Sequence, residues 1–146
     1  DWDGPGGPRP GIGVLRSDDH GHTWRSIAEG LPSDFGFPIV VHPHDPDTVY
    51  VLPLTPGTRS CPDGVPAVWR SENGGGSWKK LTRGLPKRDS YFTVQRDAMD
   101  IDELKSPALY FGTTTGQLWI GRDGGDEWDC VFDSLPPIHC VKVAVV

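Results

Sequence analysis

Four aspartates, Asp34, Asp63, Asp89 and Asp133, stand in stretches rich in Gly, Pro and Ser. Carboxylates held roughly 5–10 Å apart divide the acid and base work of glycoside hydrolysis between them, and loops on a rigid scaffold are where such groups collect. Arg59, Arg88 and Tyr91 share the same stretches, and guanidinium groups recognise carboxylates through paired hydrogen bonds. Two histidine pairs with one-residue spacing, His20/His22 and His42/His44, raise metal binding as a further chemistry. Neither pair has a third ligand at a recognisable spacing, and Pro43 puts the second pair in a turn. They are read as exposed turn histidines, with no metal and no cofactor expected. The three cysteines, Cys61, Cys130 and Cys140, form no CxxC motif, and their odd number leaves at least one unpaired. That tilts the expected compartment toward the reducing cytoplasm.

The elements that would hold these residues are set by an internal repeat. Three segments align without gaps: residues 16–24, 70–78 and 120–128. The shared pattern is Ser17, Asp19, Gly21, Thr23 and Trp24 in the first copy, and Ser71, Asn73, Gly75, Ser77 and Trp78 in the second. The third keeps Asp123, Gly125 and Trp128 but has Gly121 and Glu127 in place of Ser and Thr. The tryptophans lie 54 and 50 residues apart. An aliphatic residue follows each by three (Ile27, Leu81, Val131), and Leu-Pro follows by seven and eight (Leu31-Pro32, Leu85-Pro86, Leu135-Pro136).

Short apolar, strand-like segments precede the copies at Ile12–Leu15, Ala67–Trp69 and Gln117–Ile120. Further strands are predicted at Phe37–Val41, Thr48–Leu52, Tyr91–Gln95 and Ala108–Gly112, giving four short strands, A to D, per repeat. A unit of this size is that of a propeller blade. The Ser-x-Asp-x-Gly-x-Thr-Trp run suits the C–D hairpin turn: Ser and Asp accept bonds from turn N–H groups, Gly takes a backbone angle that a Cβ opposes, and Trp opens strand D.

These residues resemble the Asp-box, or bacterial neuraminidase repeat, family, whose members form sialidase-like β-propellers. The resemblance covers the chain after Gly11, and the phrases at 30–38 and 42–50 are similar to those of bacterial sialidase-like proteins. It implies an all-β, partial propeller of about two and a half to three four-stranded blades with Asp-box turns. The expected divisions are the end of one blade at 1–34, complete blades at 35–88 and 89–137, and the first strand of another at 138–146. Closed propellers have about 4–8 blades, so remaining blades or self-association are expected to complete the ring.

Antiparallel order puts A–B loops and Asp-box turns at one end, and B–C and D–A loops at the other. The resemblance makes the second the ligand end and the boxes structural. The ligand end then carries Asp34, Lys87, Arg88, Asp89, Asp133 and His139, residues 113–115, and the loop Thr55–Pro66, which holds Arg59, Cys61 and Asp63. That loop carries a ten-residue insertion: 21 residues separate Tyr50 from the following box, against 11 after Tyr110. A retaining sialidase, by resemblance, needs an arginine triad, a Tyr–Glu pair and an acid/base Asp. No Arg-Ile-Pro motif is present, and only Arg59, Arg88 and Tyr91 are placed to contribute. Trp24, Trp78 and Trp128 are expected between blades, and Trp2 falls outside the repeat.

Composition agrees with a turn-rich, packed chain: 146 residues, 36% hydrophobic, with 19 Gly and 15 Pro. A net charge of −6 without a basic run argues against nucleic acid and anionic membranes as partners. There is no Met at position 1 and no basic or apolar leader pattern, so the natural N-terminus is expected to lie outside this sequence. The leading expectation is a carbohydrate- or protein-binding scaffold without a complete active site. The alternatives are a glycoside hydrolase sharing its site with further blades, and a protein-interaction platform using Thr55–Pro66.

Overall fold

In a computed structural model that describes residues 13–146, the chain is all-β. A two-stranded hairpin pairs β1 (Leu15–Arg16) with β2 (Arg25–Ser26). A four-stranded antiparallel sheet follows in chain order: β3 (Gly36–His42), β4 (Asp45–Pro53), β5 (Val68–Ser71) and β6 (Lys79–Leu81). A second has the same order: β7 (Met99–Ile101), β8 (Leu109–Gly112), β9 (Leu118–Arg122) and β10 (Glu127–Phe132). β3 lies beside β7. Among the described residues no helix is long and apolar enough to cross a membrane. Trp2 lies outside the described residues.

Each sheet is a meander because every sequence-local turn can close a hairpin, which requires only a few residues between antiparallel strands. β4 is buried continuously from Thr48 to Pro53, the mark of a strand covered on both faces. The core fills the space between the sheets: Leu52, Leu54, Val68 and Leu81 from the first meet Met99, Leu109, Phe111, Trp119 and Trp128 of the second. Phe111 is fully buried, with its ring centroid 5.0 Å from that of Trp128 and 6.2 Å from that of Trp119.

The repeated turns are built from their own side chains in the first two copies. Ser17 Oγ accepts the Gly21 N–H at 2.7 Å, while the Asp19 carboxylate accepts the Thr23 N–H at 2.8 Å and the Thr23 hydroxyl at 2.6 Å. In the second, Ser71 Oγ accepts from Gly75, Asn73 Oδ1 accepts the Ser77 N–H, and Asn73 Nδ2 donates to Ser77 Oγ. The Asp-to-Asn and Thr-to-Ser changes are thus matched. Gly121 replaces Ser in the third copy because a Cβ there would lie 2.7 Å from the Trp128 ring. That turn is closed by Asp126 N–H to Arg122 O and by Arg70, whose Nη1 donates to Gly124 O.

Asp19 has its pKa lowered, first by the Thr23 hydroxyl and then by the Thr23 N–H. Its contribution to the turn is complete above the ordinary carboxylate range of about pH 4 and is lost as pH falls through the lowered value. The Thr23 amide proton shift is therefore expected to titrate in acid, while that of Ser77, bonded to the non-titrating Asn73, stays flat. Equal movement of both in an NMR pH series would contradict this account.

Adjacent repeats are joined at corresponding positions. Arg16 bonds Asp47 at 2.8 Å, and Arg70 reaches Gly124 O and Asp126. Gly75 seats on Ile27, which occupies the space of a Cβ, and Gly125 seats on Leu81, where a Cβ would make a tight 3.2 Å contact. Trp78 Nε1 donates to Ile27 O, whereas at the next joint the Trp128 backbone N–H donates to Arg83 O and the Trp128 indole N–H has no partner among the described residues. His44 Nε2 adds a bond to the carbonyls of Glu103 and Leu104.

Three expectations need correction. Tyr91–Gln95 is not a strand, and β7 starts at Met99. Phe92 and Val94 are buried in strand-like alternation, but their stretch bonds to loops instead of a ladder: Cys61 N–H to Phe92 O, Thr93 N–H to Thr114 Oγ1 and Thr114 N–H to Thr93 O. Residues 138–146 likewise hold no strand. Ile138 and Val141 instead pack on Gly112, with N–H bonds to Thr113 O and Asp97 O. Trp24 is 61% exposed instead of packed between sheets. Its Nε1 donates to Gly21 O in its own turn.

Candidate functional site

The inserted loop 54–67 is the organising element at the end opposite the repeated turns. It folds back on itself through Thr55 N–H to Ser60 O and Arg59 N–H to Thr55 O, then makes a single 3-10 turn at Pro62–Gly64. It is tied to the segment entering β7 by Cys61 N–H to Phe92 O, Ser90 N–H to Gly64 O, and the Thr93 hydroxyl to Arg59 O. The 113–117 loop completes the cluster through Thr93 and Thr114. Three non-glycine residues here adopt left-handed backbone, Arg59, Asp63 and Asp89, with φ of 54°, 55° and 56°. Such angles cost energy and persist only where surrounding contacts impose them.

The four sequence-selected aspartates do not meet in one cleft. Asp34 lines a cleft of about 290 Å³ between the first hairpin and β3. Asp63 lines one of about 160 Å³ with Trp69 and Lys80. Asp89 lines one of about 410 Å³ with Tyr91 and Trp119. Asp133 is exposed and accepts a bond from Ser134 Oγ. The Gly64–Ser90 bond brings the backbones next to Asp63 and Asp89 together, yet the two side chains line different clefts. No described cleft contains two of the four carboxylates.

Arg59, Arg88 and Tyr91 also separate. Arg59 lines a cleft of about 370 Å³ with Phe37, Thr93, Gln95, Arg96 and Thr114. Among the described residues neither Arg59 nor Arg96 has a salt-bridge partner. Arg96 was not singled out from the sequence, because only the actual start of β7 swings it beside Arg59. Gln95 Oε1 in the same cluster accepts from His139 Nδ1 at 3.0 Å. Arg88 stands in solvent, 3.7 Å from Asp89. Tyr91 is 64% exposed and lies over Gly64, where a Cβ would come within 2.8 Å of its ring.

Cys61 is buried, donates to Phe92 O, and has its thiol pKa pushed up to about 12 by that burial, so it stays protonated and inert at neutral pH. Among the described residues no group of three or more His, Cys, Asp or Glu side chains forms a metal-ligand set. Cys130 and Cys140 are exposed and unbridged. Arg16 and Arg70 are committed to the joints between repeats. Tyr50 is buried beside Arg70, and burial raises its pKa. Tyr110 donates its hydroxyl to Asp102. Both tyrosines belong to the framework.

The arrangement offers open clefts walled by aromatic rings, hydroxyls and amides, without paired carboxylates, and holds them on two packed sheets. Compared with known proteins, the chain matches no family model, and no curated protein matches it.

Proposed function

We propose that the chain is a segment of an Asp-box, sialidase-like β-propeller that binds carbohydrate at its loop end and carries no complete active site of its own. The observation that carries this reading is the convergence of loops 54–67, 82–98 and 113–117 into clefts lined by Tyr91, Trp119, Thr93, Thr114 and Gln117. Pockets that combine apolar walls with a few placed polar groups are the usual form of small-ligand sites. Two four-stranded antiparallel meanders with β3 beside β7 support the reading of neighbouring propeller blades. The matched Ser, Asp and Asn bonds of the repeated turns suit a structural role for the boxes. Exposed Trp24 on one flank and Val131, Phe132 and Leu135 on the other are surfaces for further blades or a second copy.

A glycoside hydrolase of the exo-sialidase kind is the second reading, favoured by Arg59 and Arg96 in one cleft. The two separate in a single experiment in which the chain is titrated with a glycan panel, amide shifts are followed by NMR, and the same mixtures are assayed for released sugar. Saturable shifts at residues 55–66, 87–96 and 113–117 without product are expected. Product formation lost on replacing Asp34, Asp63, Asp89 or Asp133 would establish the hydrolase instead.

A further inference from the structure

The cleft beside Tyr91 has features that the general reading does not require. Its ring is 64% exposed, so burial does not account for its position, yet both neighbours are pinned: the Ser90 N–H donates to Gly64 O and Phe92 O accepts from Cys61. The absence of a side chain at Gly64 is what lets the ring lie there. The inserted loop thus holds an aromatic face toward solvent. Across the cleft stands Trp119, 7% exposed, whose indole N–H is buried without an acceptor. Gln117 lines the same cleft, and its Oε1 already accepts the hydroxyls of Thr113 and Thr115. That leaves its amide NH₂ as a donor. Asp89 and Ser90 add a carboxylate and a hydroxyl to the rim.

No lysine or arginine lines this cleft. Arg88 stands 3.7 Å from Asp89 but is exposed and does not line the cleft, so an anionic ligand inside it would meet the Asp89 carboxylate with only a solvent-screened cation beside it, which is unfavourable. The corresponding cleft one repeat earlier is different: Lys80 stands 6.0 Å over the Trp69 ring, and the space is about 160 Å³ against about 410 Å³. The larger volume falls within the roughly 300–1,000 Å³ of small-molecule pockets. An aromatic face beside a fixed amide donor, a hydroxyl and a carboxylate acceptor matches a pyranose ring, which presents an apolar C–H face and a rim of hydroxyls.

We infer that the cleft between Tyr91 and Trp119 is a subsite for an uncharged pyranose of a neutral glycan. This deepens the carbohydrate-binding reading and rests on it. The test uses neutral tetrasaccharides of glucose, galactose, mannose and N-acetylglucosamine, with sialyllactose as the acidic control and choline as the cationic one. Binding is followed by tryptophan fluorescence and by the Ser90 and Gln117 amide shifts. At least one neutral tetrasaccharide is expected to bind, to lose tenfold or more in affinity in Tyr91→Ala, and to keep its affinity within about threefold in Tyr91→Phe and in Arg96→Ala. The urea midpoint of Tyr91→Ala is expected to match that of the parent, which separates lost binding from lost folding. Neutral-glycan binding that is indifferent to Tyr91→Ala would overturn the subsite and leave the general reading standing. Binding of sialyllactose or choline alone would overturn the neutral assignment. Absence of all glycan binding would overturn both.

Discussion

Phe111→Ala is expected to lower the unfolding free energy by about 3–5 kcal/mol, the cost of deleting a buried aromatic ring and leaving its cavity. Phe111 has no exposed surface and sits in β8 between β7 and β9, opposite Met99 and Trp119. Its ring touches three aromatic layers: Phe92 from the segment entering β7, Trp119 from β9, and Trp128 from β10. Those groups belong to separate elements, so the void cannot close by moving one of them. Native domains are stable by only about 5–15 kcal/mol, and the loss would take a large share of that. The check is urea unfolding, read as a shift in midpoint at unchanged slope. A change below 1 kcal/mol would mean that the two sheets are not packed around this ring. Phe92 and Trp119 also line the Tyr91 cleft, so ligand binding is expected to weaken with stability in this variant.

Gly84→Ala is expected to cost about 2–5 kcal/mol through backbone conformation and backbone contact together. Gly84 has φ +91°, and a Cβ there would stand 2.0 Å from the Trp128 carbonyl oxygen. The left-handed conformation alone costs an L-residue about 1–2 kcal/mol, and overpacking adds about 1–3. Trp128 cannot retreat easily, because its N–H is bonded to Arg83 O and its side chain is buried in the core. Two comparisons separate the contributions. Gly30 has the same φ of +91° but only Trp78 Cδ1 at 3.9 Å, so Gly30→Ala reports the backbone cost by itself. Gly57 has nothing within 4 Å and no positive φ, so Gly57→Ala is expected to stay within about 0.5 kcal/mol of the parent. Equal effects at positions 84 and 30 would remove the joint at Trp128 from the account.

The repeat made much of the framework readable. Gly75 and Gly125 recur in the sequence because each seats on an aliphatic residue three places after the preceding tryptophan, Ile27 or Leu81. That relation lies within a fixed spacing and therefore leaves a sequence signal. Trp24 and Val131 carry the same signal and are nonetheless exposed. Burial depends on a neighbouring repeat, which residue type at one position cannot report. The displaced start of β7 has a similar origin. Alternating burial of Phe92 and Val94 looks like a strand, but the bonding partners of that stretch are loops whose position only the folded chain reveals.

The candidate site was less readable for the same reason. Asp34, Asp63, Asp89 and Asp133 share a residue type and a loop setting, and neither fixes which cleft a side chain lines. Arg96 and Gly64 gave no signal of their own. Arg96 joins Arg59 only through the path of residues 91–98, and Gly64 matters because Tyr91 lies on it. Tyr91 and Arg59 were legible as candidates, but they line different clefts. A hydrolytic reading built on their joint action loses its geometric basis.

The measurement that bears most directly on the whole account is the amide-shift map of the chain titrated with the glycan panel. Saturable changes confined to residues 55–66, 87–96 and 113–117, with unchanged shifts at the repeated turns 17–24 and 71–78 and no sugar released, are the predicted result. Changes centred on the turns, or turnover of the glycan, would contradict it.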